Sequence, residues 1–321
     1  MLLYPHLLQR TATLATLLLA ALLAACTTTP PVSVPSTPGT PPTGTPTATV
    51  VPTPPPIVIP KRLPKIGLAL GGGAARGFAH VGVIAALEEA GIKPDMVVGT
   101  SAGSLVAAIY ATGKSAAQLQ QVALAMEESE ITDWTLPFFG RGMLRGDALA
   151  RYINAQVGNK PIESMAVPLG IVATDLRTGL GTLFQRGDTG MAVRASSAVP
   201  SVFNPVKIGA VEYVDGGLVS PVPVRYARQM GAELVIAVDI SSAPEGNTSD
   251  NQLAILLQTF AIMGKSINSF ELKDAELVVR PELAGVKGGD FTSRRRSMEA
   301  GKLAMQRAIP QLKVLMEAGR R

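Results

Sequence analysis

The sequence predicts an α/β domain over residues 61–321, because strands, glycine-rich turns and helices follow one another in repeated units. Lys65–Leu70 is an apolar run typical of a buried strand, and a helix is predicted over residues 78–90. Met96–Val98 is a second apolar, β-branched run, and the helix formers of residues 102–111 follow it. A domain of this length can bury a full hydrophobic core.

The second strand–helix turn contains a candidate nucleophile. Ser101 lies in Gly99-Thr100-Ser101-Ala102-Gly103, a G-x-S-x-G pattern with a predicted strand before it and a predicted helix after it. Glycines two residues away on either side avoid the clashes that side chains would make at so sharp a turn. The N–H groups at the start of the helix would favour a developing oxyanion. The alternative is a glycine-lined turn without chemistry.

The first turn, Gly71–Gly77, presents backbone N–H groups to an anion. A dinucleotide-binding loop needs G-x-G-x-x-G, but Arg76 stands at the third glycine, and the frame from Gly72 puts Ala74 at the second. A nucleotide P-loop ends in Gly-Lys-Ser/Thr, which is absent. An oxyanion hole is therefore favoured, because a candidate serine nucleophile follows one unit later.

The two histidines of the chain limit the choice of general base. His6 lies in a segment that is expected to be removed, and His80 lies on the apolar side of its predicted helix, where packing is favoured over catalysis. Asp215, between an apolar strand and two glycines, is the best candidate, because a carboxylate beside a serine hydroxyl can act as general base; the alternative is an ordinary Asp-Gly turn. Asp175 and Asp239 also follow apolar strands and are fallback bases, although both fit capping roles.

These blocks, in this order, resemble the bacterial patatin-like phospholipases. The matching stretches are Gly71–Gly77 with His80-Val81-Gly82-Val83, Gly99–Gly103, Ala173–Leu176, Arg194–Pro200 and Asp215–Gly217. The resemblance runs from Lys65 to Val238 and more loosely to the C-terminus. It implies a three-layer α/β/α fold with a mostly parallel central sheet, and a Ser–Asp dyad that acts on lipid acyl esters.

Residue by residue, the resemblance implies that Ser101 is the nucleophile and Asp215 the base. The amides of Gly72, Gly73 and Ala74 would form the oxyanion hole. Ala74 departs from the pattern, because many relatives have glycine there and a positive φ would strain an alanine. No metal or cofactor is implied, and the sequence contains no cluster of His, Cys, Asp and Glu with metal-ligand spacing.

Residues 1–25 are typical of a bacterial lipoprotein signal peptide, with an apolar stretch too short to span a bilayer that ends in Leu23-Ala24-Ala25-Cys26. Cleavage before Cys26, the single cysteine, would leave that residue lipidated. A plain secretory signal with a stray cysteine is the alternative. Residues 26–60 would then be a tether, because residues 27–60 hold 12 of the 25 prolines and cannot form a core.

The leading functional hypothesis is a lipid-anchored serine acyl hydrolase of the cell envelope, of phospholipase or lysophospholipase type. Its partners would be a lipid acyl ester and a membrane. The outer membrane is expected, because Thr27 rather than an aspartate follows Cys26. A catalytically inactive lipid-binding envelope lipoprotein is the second hypothesis, and a dinucleotide-binding protein the third. Nucleic-acid binding is not expected of an exported chain without a recognisable module, and the sequence leaves the oligomeric state open.

Three further segments carry weaker signals. The basic residues Arg294–Arg296 are expected on the solvated side of a C-terminal helix over residues 297–318, with binding to anionic head groups as the alternative. The aromatic residues of 134–139 fit either a lid over the site or a buried loop anchor. The apolar residues from Leu253 to Phe270 have helical spacing and are expected in the core.

Overall fold

A computed structural model describes residues 62–135, 141–242 and 252–320. The strands are β1 (Ile66–Leu70), β2 (Met96–Thr100), β3 (Gly142–Leu144), β4 (Leu169–Asp175), β5 (Gly181–Phe184), β6 (Ser201–Phe203), β7 (Val206–Ile208), β8 (Val211–Asp215), β9 (Leu234–Val238) and β10 (Leu277–Val279). The α-helices are α1 (Phe78–Glu89), α2 (Ala102–Ala111), α3 (Ala116–Ala125), α4 (Glu128–Ile131), α5 (Asp147–Gln156), α6 (Thr189–Ser196), α7 (Val224–Gln229), α8 (Gln252–Glu271) and α9 (Arg294–Ala318). The predicted signal peptide, Cys26 and the tether lie outside the described residues.

The central sheet is mostly parallel, as expected. Its strand order is β10-β9-β1-β2-β4-β8-β7, and β5 also pairs with β4. The strands from β10 to β4 pair in parallel, whereas β8, β7 and β5 join the sheet through antiparallel pairs. A separate parallel pair joins β3 to β6.

Helices cover both faces of the sheet, and alternate strand residues point into two separate cores. Leu68 and Leu70 of β1 join a large core with helices such as α1 and α2, whereas Ala69 faces the core built on α7. All five residues of β1 are buried, which is typical of a parallel strand covered on both sides. The predicted α/β architecture with helices on both sides is confirmed.

The C-terminal helix α9 packs closely against α1 through two glycines. A Cβ atom on Gly82 would lie 1.8 Å from the carbonyl oxygen of Met298, and one on Gly301 would lie 1.9 Å from that of Ala79. Only glycine allows the two backbones to approach so closely. This contact holds α1, and with it the glycine loop that precedes α1, against the C-terminal part of the chain.

The expectation that the apolar segment from Leu253 to Phe270 belongs to the core is wrong. The segment does form a helix, α8, but its buried residues are only Gly264, Asn268 and Glu271. The helical spacing correctly indicated which side chains share a face. It could not indicate whether another element covers that face, and much of the apolar surface of α8 is exposed.

Candidate active site

Ser101 lies at a strained turn between β2 and α2. Its φ of 53° and ψ of −125° lie outside the regions that an L-residue normally adopts, which costs about 1–3 kcal/mol. Its backbone N–H donates a 2.8 Å hydrogen bond to the hydroxyl oxygen of Ser196, which in turn donates to the Val172 carbonyl at 2.6 Å. These bonds hold the serine at the start of α2, where the helix dipole favours negative charge.

The glycines on either side of the turn are required by close backbone contacts. A Cβ atom on Gly99 would lie 2.4 Å from the carbonyl oxygen of Gly103, and one on Gly103 would lie 2.1 Å from that of Leu70. No side chain fits at either position. The steric reason inferred from the G-x-S-x-G pattern is therefore confirmed.

Sheet topology brings Asp215 to Ser101. The last residue of β2, Thr100, pairs with Val172 of β4, and the last residue of β8, Asp215, pairs with the next β4 residue, Ala173. Because β5 occupies the opposite edge of β4, β2 and β8 share one edge and meet end to end. Ser101, which follows β2, and Asp215, which ends β8, are therefore neighbours.

The carboxyl group of Asp215 is buried and incompletely hydrogen-bonded. Its Oδ1 accepts a 2.7 Å bond from the Gly217 N–H, whereas its buried Oδ2 has no partner of standard geometry among the described residues. Burial raises the pKa of Asp215 to about 6, against the opposing effects of the Ser101 hydroxyl and the Gly217 amide. The Ser101 hydroxyl is thus close to the Asp215 carboxylate without a hydrogen bond of standard geometry. Long or poorly aligned catalytic hydrogen bonds are common before substrate binds.

The glycine loop lies against the serine, but its three predicted oxyanion donors are not equivalent. A Cβ atom on Gly72 would lie 3.1 Å from that of Ser101, while the Gly72 N–H donates at 2.9 Å to the Pro221 carbonyl. That amide is already engaged. Ala74 has a φ of 51°, so the strain that the sequence predicted for an alanine at this position is present.

His80 lies on α1 and is hydrogen-bonded to the start of the glycine loop. It is fully buried, and its Nε2 lies 2.8 Å from the Gly71 carbonyl, to which it donates as the neutral imidazole. Burial lowers its pKa to about 4, so the ring is uncharged near neutral pH. The packing role favoured from the sequence agrees with these contacts, and His80 does not line the cavity at Ser101.

The fallback aspartates have capping roles. Asp175 is half-buried, and its Oδ1 accepts from the N–H groups of Arg177 and Thr178; against the effect of desolvation, these bonds lower the pKa of the carboxyl. Asp239 accepts from the Ser241 N–H and hydroxyl. Neither aspartate lines the cavity at Ser101.

Polar residues that carry no role in the sequence analysis hold the backbone of the site in place. In addition to the bonds of Ser196, the Thr100 hydroxyl donates at 2.9 Å to the Ser220 carbonyl. The Ser104 hydroxyl donates at 2.6 Å to the backbone carbonyl of Ser101. Ser196 lies in the Arg194–Pro200 stretch, which carried the resemblance without an assigned function. A small polar residue at a helix end is too common to identify such a support from sequence alone.

Ser101 and Asp215 open into a cavity of about 710 Å³. The glycine loop lines it together with side chains that are mostly apolar. Those of α2 and α3 include Leu105, Val106, Ile109, Leu119 and Val122. A largely apolar cavity with a few polar groups is typical of a site for an apolar ligand.

The structure answers in part what the aromatic segment 134–139 and the basic residues Arg294–Arg296 do. Trp134 is 73% exposed and is therefore not a buried anchor, while residues 136–139 of the aromatic segment lie outside the described residues. Arg294 is not simply solvated, because its guanidinium donates to the carbonyls of Leu124 and Met126 at the end of α3. The C-terminal helix accordingly begins three residues before the predicted start.

Within residues 62–135, 141–242 and 252–320, no group of three or more His, Cys, Asp and Glu side chains is placed to hold a metal ion. A strained serine between strand and helix, an adjacent glycine loop and a buried carboxyl group form the constellation expected of an α/β serine hydrolase. A family model described as patatin-like phospholipase matches residues 68–228, which include both Ser101 and Asp215. The chain belongs to the patatin-like phospholipase family.

Individual relatives agree with this assignment. An uncharacterized NTE family protein of Mycobacterium bovis is 34% identical over 194 residues, which is 58% of this chain and 52% of that protein. The human patatin-like phospholipase domain-containing protein 6 is 37% identical over 193 residues, which is 57% of this chain and 14% of that protein. The chain therefore spans about half the length of the mycobacterial relative and a small part of the human one.

A solved structure shows the same fold at low sequence identity. The crystal structure of VipD from Legionella pneumophila is 14% identical to this chain, with a TM-score of 0.53. The match covers 78% of this chain and 67% of that one. At this identity the likeness concerns the fold alone.

Proposed function

We propose that this protein is a membrane-anchored serine acyl hydrolase that cleaves lipid acyl esters with a Ser101–Asp215 dyad. The observation that carries the proposal is the buried carboxyl group of Asp215, whose Oδ2 has no partner of standard geometry among the described residues, beside a strained serine in an apolar cavity. A carboxylate with a pKa near 6 is a stronger base than an ordinary aspartate and is still ionised at neutral pH.

In this mechanism Asp215 accepts the hydroxyl proton of Ser101 as Oγ attacks the ester carbonyl. The tetrahedral oxyanion is stabilised by the amides of Gly73 and Ala74 and by the N-terminal end of α2. The Gly72 amide contributes only if it leaves the Pro221 carbonyl. Collapse breaks the ester bond, and the alcohol leaves with the proton held by Asp215.

Deacylation uses the same carboxylate. Asp215 takes a proton from water, whose oxygen attacks the acyl-enzyme carbonyl, and Ser101 recovers its proton as the free acid is released. The apolar wall formed by α2 and α3 suits the hydrocarbon part of the substrate. Phospholipids and lysophospholipids are the substrates we propose.

Covalent labelling with a fluorophosphonate tests the dyad directly in the full chain. Wild type should label, Ser101→Ala should not, and Asp215→Asn should label about 10²–10⁴-fold more slowly. Asp175→Asn is the matched control, since it removes a carboxylate that caps a turn outside the cavity, and His80→Gln should also retain labelling. Loss of labelling in a folded His80→Gln, or full labelling of Asp215→Asn, would reject the dyad.

Hydrolysis separates an enzyme from a lipid-binding envelope protein. Wild type should release fatty acid from phosphatidylcholine or lysophosphatidylcholine dispersed in detergent, and Ser101→Ala should not. Binding of these lipids by wild type without release of fatty acid would instead support the lipid-binding hypothesis.

The membrane anchor is proposed from the sequence around Cys26. Removal of residues 1–25 and acylation of Cys26 would attach the domain to the outer membrane through the proline-rich segment. Metabolic labelling with an alkyne fatty acid should mark wild type and not Cys26→Ser, and density fractionation should place wild type with outer-membrane markers. Unmarked wild type, or wild type found with inner-membrane markers, would contradict this part of the proposal.

A further inference from the structure

The inner face of α8 is connected to the candidate active site. Phe260 and Met263 line the same cavity as Ser101. Nearer its C-terminal end, α8 is anchored by a 2.6 Å hydrogen bond from the Ser220 hydroxyl to Oε1 of the buried Glu271. The helix therefore has a fixed side toward the domain.

The segment beneath α8 is the one that holds the two turns of the site. The Ser220 carbonyl accepts from the Thr100 hydroxyl, and the Pro221 carbonyl accepts from the Gly72 N–H. A Cβ atom on Gly264 of α8 would lie 3.5 Å from Pro221 Cγ, so the helix crosses directly over this segment. Whatever α8 contacts on its other side is thus brought next to the cavity.

The outer face of α8 carries exposed apolar side chains, and the hydroxyl groups of Thr259 and Ser269 between them donate to carbonyls of the same helix. Ile255, Ile262 and Phe270 recur at helical spacing on the side opposite to Gly264, and they are 57%, 53% and 69% exposed. A helix with large apolar side chains on its outward face as well as its inward one normally contacts protein or lipid on both sides. Large exposed apolar patches mark interaction surfaces.

The charges on α8 favour an anionic or neutral lipid surface. Lys265 is the only charged residue from Gln252 to Phe270, and it is exposed. The Lys273 ammonium lies 5.1 Å from the ring centroid of Phe270, which pairs an exposed aromatic ring with a cation. Cations next to exposed aromatic and aliphatic side chains suit the boundary between head groups and acyl chains.

We propose that α8 docks flat on a phospholipid bilayer, with Ile255, Ile262 and Phe270 inserted among the lipids and the cavity opening toward them. Among the described residues, Gln252–Asp274 is long and apolar enough by length and composition to cross a bilayer. Its inner face, however, contacts the rest of the domain, so only the outer face can contact lipid. The helix would therefore lie along the membrane surface rather than cross the bilayer. The helix is outside residues 68–228, so the family match does not account for it.

The biological purpose of this docking rests on the proposed lipid substrate, but its test does not require turnover. The mature chain from residue 26, carrying Ser101→Ala and Cys26→Ser so that it neither hydrolyses lipid nor is acylated and lacks the apolar signal segment, is mixed with vesicles of phosphatidylcholine containing about 30% phosphatidylglycerol. Co-sedimentation gives the partition coefficient. Labelling of Ser101 in the wild type remains the separate test of the proposed function.

A matched pair of double variants locates the surface. Ile262→Ser/Phe270→Ser removes two exposed side chains from α8, neither of which lines the cavity. Leu180→Ser/Val314→Ser removes two side chains that are 68% exposed, one in the turn before β5 and one on α9. The α8 variant should bind vesicles about tenfold more weakly or worse, and the control should bind within about twofold of its parent. Thermal unfolding checks both folds, and Phe270→Ser alone replaces the double variant if that is unstable.

Four results would overturn the proposal. These are a parent that fails to sediment, an α8 variant that binds like its parent, and retention of the parent in vesicles washed with alkaline carbonate, which would indicate a spanning helix. The fourth is a parent dimer that the α8 variant converts to a monomer in analytical ultracentrifugation, because this face would then bind a second copy.

Discussion

Replacing Asp215 by asparagine should stabilise the protein at neutral pH while removing its activity. Folding raises the pKa of Asp215 from 3.8 to about 6, because the buried group loses more by desolvation than it gains from Ser101 and Gly217. At 1.36 kcal/mol per pKa unit, this shift corresponds to about 3 kcal/mol. Asparagine carries no charge and keeps an oxygen that can accept from the Gly217 amide, so much of this cost disappears.

The sign of the pH dependence follows from linkage. A raised pKa means that the folded protein binds the proton more tightly than the unfolded chain, so the cost of the charge is absent below pH 3.8 and fully present above pH 6. Urea unfolding of full-length wild type and Asp215→Asn at pH 7.5 and pH 4 measures the difference. Asp215→Asn should be more stable by about 1–3 kcal/mol at pH 7.5, and the gap should close at pH 4.

Asp175→Asn is again the control, since folding lowers the pKa of Asp175 and the substitution should destabilise rather than stabilise at pH 7.5. The reasoning fails if Asp215→Asn is the less stable protein at pH 7.5, or if its advantage is the same at both pH values. In the first case the Asp215 carboxylate would be stabilised by an interaction that the structure does not contain.

The remaining predictions concern the turns and the histidine. Ala74→Gly should keep turnover and change the free energy of unfolding by less than about 1 kcal/mol, because relief of backbone strain offsets the greater freedom of the unfolded chain. A tenfold loss of kcat/KM would show that the alanine side chain is needed for activity. Gly103→Ala should destabilise by about 3 kcal/mol or more, because its Cβ would lie 2.1 Å from the Leu70 carbonyl oxygen, and an unchanged Tm would contradict the close contact. Folding lowers the pKa of His80 from 6.5 to about 4, so this residue should reduce the free energy of unfolding by about 3 kcal/mol as pH falls through this range. His80→Gln should remove this part of the pH dependence in urea unfolding, and an unaltered pH dependence would refute the lowered pKa of His80.

The local elements of the site were predictable, because their signals lie within a few residues. The glycine loop between β1 and α1 and the predicted helix over residues 102–111 correspond to the observed elements. Gly99 and Gly103 were assigned the right steric reason. Each of these inferences uses only turn chemistry and periodicity.

Long-range features were not predictable from the same signals. The meeting of β2 and β8 on one edge of β4 depends on strand pairing. The strand-end turn at Asp215 made it the best candidate base, but local signals could not show that it lies beside Ser101. The Gly72 amide is engaged by Pro221, which lies far along the chain. The exposure of α8 likewise depends on what packs above it.

In the proposed mechanism, the burial of Asp215 also accounts for catalysis without a histidine base. An aspartate with its ordinary pKa would be a weak base toward a serine hydroxyl, but a pKa of about 6 is close to the 6.5 of an unperturbed imidazole. Burial of Asp215 at the end of β8 produces this shift of its pKa. The chain is packed so closely there that only glycine fits at position 216, because a Cβ atom would lie 2.1 Å from the Val172 carbonyl oxygen. The one described histidine has the opposite shift, so the folded protein makes His80 a poor base and Asp215 a good one. In the proposed mechanism, the carboxylate that we expect to destabilise the fold at neutral pH is therefore the group best suited to activate Ser101.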